Sequence, residues 1–206
     1  VSRTSFTVAL IAAATLLVGC RDDGRTLDPA PTVPVSRQTT TTAGPSAAPA
    51  VGTDTGPLTL TSPAFADGGV LPEDHTCDGL DVSPPLVIDD VPAGAVELAV
   101  VVTERADAGA VHWILAGIPS VVTRLDSDVV PPEAVPARSS TGVEGWDGPC
   151  PPPGDAARIY DFLVYAMTEP IGLTPGLDGR RAIELIEQTA VATGELSATY
   201  ASPAEG

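Results

Sequence analysis

Lysine is absent from this chain. Its 10 basic residues are all arginine, set against 27 acidic ones for a net charge of −17. Nucleic-acid binding needs basic patches that displace counterions from phosphates, so this balance excludes it as a function class. Histidine and cysteine are sparse as well, at 2 and 3. They show no recognised zinc spacing, and no metal or other cofactor is expected. No Gly-x-Ser-x-Gly elbow, phosphate-cradling Gly-rich loop or His-Glu-x-x-His motif occurs, so the expectation is a non-enzyme. The apolar run from Phe6 to Val18 falls short of the roughly 20 residues that a transmembrane helix needs. No internal repeat is visible.

What is present at the start of the chain sets a compartment. Arg3 supplies a short positive region, and the apolar run behind it fits the core of a signal peptide over residues 1–19. The run ends in Leu17-Val18-Gly19-Cys20, which resembles the lipobox of bacterial lipoproteins. The resemblance implies that Cys20 receives lipid and becomes the N-terminus after cleavage. Each buried methylene contributes about 0.8 kcal/mol and one acyl chain anchors weakly, so two or three chains, palmitate among them, would hold firmly. The expected place is the extracytoplasmic face of a cell membrane, with the membrane itself as a partner through Cys20.

Residues 20–57 are rich in Thr, Pro, Ala, Ser and Gly. Such a stretch cannot bury enough surface to offset its ordering entropy and reads as an extended tether. A folded domain is expected over residues 58–203, with a short tail at 204–206. Its strands are read at Glu97 to Thr103, Val111 to Ala116, Ile159 to Met167 and Glu195 to Tyr200, each rich in β-branched or aromatic residues. A helix is read at Gly179 to Val191, where Ala182, Leu185, Ile186 and Thr189 recur at helical spacing. Long Pro- and Gly-rich loops, Thr76 to Pro85 and Gly142 to Gly154, lie between the strands, and loops of that length are usually functional. His75 reads as an exposed loop residue. The class is β-rich with one late helix.

Three segments bear on chemistry. The first is Thr76-Cys77-Asp78-Gly79 followed by Ser83-Pro84-Pro85. The second is Asp107-Ala108 ahead of His112-Trp113. The third is Gly148-Pro149-Cys150-Pro151-Pro152 with Tyr160-Asp161-Phe162 after it. In this order they resemble the phosphatidylethanolamine-binding protein family, in its bacterial Raf-kinase-inhibitor-like branch. The resemblance runs from about Leu58 to Ser202. It implies a mainly β fold, a sandwich of two antiparallel sheets with a late α-helix, and a small anion-accepting pocket at one end. Imidazole and backbone N–H groups can donate to phosphate oxygens there, while prolines fix the loop around them.

The family pattern is half kept. Counting back from His112-Trp113, the family's first pocket aspartate falls on Arg105, with Glu104 the nearest acid. Counting back from Tyr160, its second histidine falls on Arg158. The expected ligand-binding set is therefore Arg105, Asp107, His112, Arg158 and Tyr160, with Gly148, Pro149 and Pro151 from the loop. Two arginines would shift such a pocket toward positive charge, because guanidinium binds carboxylate or phosphate in bidentate fashion. With Cys20 lipidated, Cys77 and Cys150 form an even pair in an oxidising compartment, and they lie in two loops that the family brings together. A disulfide is expected, with a zinc site the weaker alternative. Two functions follow: a binding module for a small anionic ligand bearing phosphate or carboxylate, or an interaction protein such as an envelope protease inhibitor whose pocket has decayed.

Overall fold

The computed structural model describes residues 58–106 and 109–204. The signal peptide, Cys20, the tether and Asp107 lie outside the described residues. Nine strands are described: β1 (Thr59–Thr61), β2 (Gly69–Val70), β3 (Leu86–Asp89), β4 (Glu97–Glu104), β5 (Ala110–Pro119), β6 (Arg124–Leu125), β7 (Val135–Pro136), β8 (Arg158–Met167) and β9 (Ala190–Tyr200). One helix, α1 (Gly179–Thr189), lies between β8 and β9.

The strands form two sheets, a small one ordered β1-β3-β6 and a large one ordered β2-β9-β8-β4-β5-β7. Pairing is antiparallel throughout except for β2 against β9, a two-residue parallel contact. The architecture is the expected two-sheet sandwich with a late helix.

The large sheet is covered on both faces. On one, Val100 and Val102 of β4, Trp113 and Leu115 of β5 and Phe162 of β8 share a core with Leu60, Leu86 and Ile88 of the small sheet. On the other, Ala99, Val101 and Ile114 pack with Ala182 and Ile186 of α1. This double burial explains why β4 reads as an unbroken apolar run rather than an alternating one.

Helix α1 begins at Asp178, whose side chain accepts from the Arg181 N–H at 3.2 Å, a normal N-cap. It is two residues shorter than the expected Gly179 to Val191. Chain from Ala190 is drawn into β9 by pairing with Met167, and backbone ladder bonds there outweigh the helical pattern. Thr189 is exposed and turns its hydroxyl back onto the Leu185 and Ile186 carbonyls.

Strand β5 carries two bulges. Val102 pairs with Trp113 but Thr103 pairs with Val111, so His112 is the extra residue. A second shift falls between Leu98 and Val100, opposite Gly117, whose φ of +75° glycine accepts without strain. The bulges keep Val111 and Ile114 on the helix face and Trp113, Leu115 and Ile118 on the sandwich face. A bulge re-aims a side chain. Here that side chain is His112.

Candidate functional site

The His112 ring is fixed from one side by the 139–150 loop. Its Nδ1 lies 2.8 Å from the Asp147 carbonyl oxygen, while the Asp147 N–H donates to the His112 carbonyl at 3.1 Å. A carbonyl only accepts, so Nδ1 carries the proton and neutral His112 presents a lone pair at Nε2. Thr141 donates to the Asp147 carboxylate at 2.6 Å and steadies the loop.

His112 faces three side chains from the ends of β4 and β8. Tyr160 meets it edge-on, with ring centroids 5.2 Å apart. The Glu104 Oε2 lies 4.0 Å from His112 Nε2. Arg158 Nη1 donates to both Glu104 oxygens, at 3.0 and 3.2 Å. Glu104 is buried, and Arg158 is half-buried with a looser 3.6 Å contact to Asp155. The Tyr160 hydroxyl and His112 Nε2 are buried and have no hydrogen-bond partner. Burial pushes the Tyr160 phenol up to about 12, with the Glu104 charge adding to the effect, so it is a neutral donor at any physiological pH. The Glu104 carboxylate holds the Arg158 guanidinium still more firmly protonated. An open cleft of about 750 Å³ lies between the 104–106 and 155–159 segments, and Glu104, Arg105, Asp155 and Arg158 are its charged lining.

Arg105 does not join this cluster. Its guanidinium pairs with Asp161, at 2.9 and 2.5 Å, and reaches Glu195 at 3.4 Å. Asp161 follows Tyr160 on β8, and successive strand residues point to opposite faces. Arg105 is therefore turned away from His112, and the acid beside His112 is Glu104. Beside His112 the Glu104 carboxylate balances Arg158, while Arg105, which also lines the cleft, is paired with Asp161 and Glu195.

Gly148 and Pro149 are tied to the Thr76 to Pro85 loop at two points, and Pro151 is buried just beyond Cys150. The Gly148 N–H donates to Asp81 Oδ1 at 2.9 Å, and the Cys77 N–H to the Pro149 carbonyl at 3.2 Å. Cys77 and Cys150 form a disulfide, with Cα atoms 5.3 Å apart. Gly148 is required by close approach, since a Cβ there would overlap Asp81 and sit 3.0 Å from the His75 carbonyl oxygen. Asp78 accepts from the Tyr200 and Ser202 hydroxyls, at 2.7 and 2.6 Å, which hold its carboxyl below the usual range, Ser202 most strongly.

His75 corrects an expectation. It is buried, not exposed, with Nδ1 3.0 Å from the Val82 carbonyl. A short 3-10 turn at Glu73–His75 tucks the ring under the Thr76 to Pro85 loop, a local fold that periodicity could not signal. Glu104, the central residue of the cluster, stood in the sequence only as the acid nearest Arg105. Strand parity was the signal that could have placed it.

Two sheets, a late helix and converging Asp-, His- and Pro-bearing loops define a β-sandwich with a polar cluster at one end. Residues 61–201 match the family described as phosphatidylethanolamine-binding protein, and the chain belongs to that family. It is 36% identical over 200 residues to LppC of Mycobacterium tuberculosis, named as a candidate lipoprotein, covering 96% of each chain. An uncharacterised-family protein of Methanothermobacter thermautotrophicus is 33% identical over 150 residues, which is 69% of this chain and 98% of that one. Among solved structures, a phosphatidylethanolamine-binding protein homologue of Chlamydia trachomatis is similar at a TM-score of 0.64 and 32% identity. That match covers 70% of this chain and 97% of the other. YbcL of E. coli, described as a new member of the mammalian family, matches at a TM-score of 0.67 and 29% identity over 71% of this chain and 99% of its own.

Proposed function

We propose that this protein is a lipid-anchored binding module on the outer face of a membrane, taking a small ligand that bears phosphate or carboxylate. Catalysis is not part of the proposal. One observation carries it: the Tyr160 hydroxyl, a donor, is buried without a partner and feels the Arg158 guanidinium charge. A buried polar group left unpaired costs about 1–3 kcal/mol, which a ligand that pairs with it offsets. A phosphate or carboxylate oxygen suits the phenol and the guanidinium. The family's name supports a phosphate-bearing headgroup, and LppC's name supports the anchor.

The test is thermal unfolding of the chain from residue 58 onward, titrated with phosphate, phosphoethanolamine and citrate at one ionic strength. A ligand that binds only the native state raises the melting temperature with concentration, by about 2.7 kcal/mol of stability at one hundred times its Kd. Wild type should shift and Arg158→Ala should not. No shift with any anion at tens of millimolar would abandon the pocket and turn the search to an envelope protein partner, a protease among them.

A further inference from the structure

Glu104 faces two groups at once, and only one of them is always charged. Arg158 donates to both of its oxygens, whereas neutral His112 turns an acceptor nitrogen toward an acceptor oxygen 4.0 Å away. The Asp147 carbonyl fixes that polarity by taking the Nδ1 proton. Two acceptors that face each other in a buried site repel, and one added proton turns that repulsion into an ion pair. We propose that His112 gates the pocket through that proton: the imidazolium engages Glu104 through Nε2, leaves Arg158 uncompensated, and so tightens anion binding in acid.

Charge counting supports the direction. With His112 neutral, Glu104 and Arg158 cancel; with His112 protonated, the three carry a net positive charge. The other groups around the ring do not offset this change. Tyr160 stays neutral, and the Asp147 carboxylate is held by Thr141. Asp155 contacts only the outer guanidinium nitrogen at 3.6 Å, and Arg105 is engaged by Asp161 and Glu195. Asp107 lies outside the described residues. His75, the other histidine, is committed through Nδ1 to Val82.

The inference rests on the anion-binding reading, and its test separates the two. Sulfate is the probe, because its charge is constant over the range used. Calorimetry on the full chain at pH 5.5 and 7.5, in buffers of different ionisation enthalpy, reads both affinity and protons taken up. Sulfate should bind roughly 5–150-fold more tightly at the lower pH, the usual span of a coupling between two sites, with net proton uptake between the two. His112→Gln should bind with one affinity at both and take up no proton. Glu104→Gln, which leaves Arg158 uncompensated throughout, should bind at pH 7.5 as wild type does at 5.5. Equal wild-type affinities at both pH values would overturn the gate and leave the anion pocket standing. Binding at neither pH would overturn both.

Discussion

Removing the Cys77–Cys150 bridge should cost this fold about 4 kcal/mol, most of it through the unfolded chain. The two cysteines are 73 residues apart. A cross-link over such a loop removes about 15 cal/mol/K from the denatured ensemble in the chain-entropy account, or about 4.4 kcal/mol at 25 °C. Native contacts offset none of this, because they survive in both forms: the Cys77 N–H still reaches Pro149, and the Gly148 N–H still reaches Asp81. The variant is Cys77→Ser with Cys150→Ser, measured by urea unfolding of the chain from residue 58 onward. The midpoint should fall while the slope rises slightly, since a free denatured chain exposes more surface. The melting temperature should drop by about 12–16 °C for a domain of this size. A loss under about 1 kcal/mol would refute the reasoning and mean that the unlinked loops are already close in the denatured chain.

Gly148→Ala should destabilise by about 1–3 kcal/mol, because a methyl there overlaps the Asp81 carboxylate that its N–H holds and crowds the backbone at His75 and Thr76; the same unfolding curve checks it. In alkali, stability should be lost through the buried tyrosines. Burial raises Tyr160 and Tyr165 from about 10 to about 12, so the native state keeps protons that the unfolded state has released. Their contribution is complete below about pH 10 and disappears as pH rises through about 12, read by tyrosinate absorbance in native and denatured protein. Cys20→Ala should move the protein from the membrane fraction to the soluble one, followed by fractionation and by incorporation of labelled palmitate.

How much could be read beforehand depended on length and parity. The four long strands and α1 announced themselves through β-branched runs and helical spacing. Strands β2, β6 and β7 are two residues each and have no period to detect; they exist because longer neighbours offer them a ladder. The cluster of side chains was legible in His112, Arg158 and Tyr160, but not in its acid. Counting back from His112 crosses a bulge and a loop, and one residue of slip changes Arg105 for Glu104. In a strand, one residue is the whole difference between a sheet's two faces. The consequence is chemical: a buried carboxylate, Glu104, stands between His112 and Arg158.

The most direct test of the account removes only the unpaired hydroxyl. Phosphate binding to the full chain and to Tyr160→Phe should be measured side by side by calorimetry. If the phenol donates to a bound anion, the variant should lose about tenfold or more in affinity, since a hydrogen bond to a charged group contributes about 1.5–3 kcal/mol. Its melting temperature without phosphate should be unchanged or higher, because a buried orphan has been deleted. Equal phosphate affinity in the two proteins would contradict the claim that this pocket is built to receive an anion.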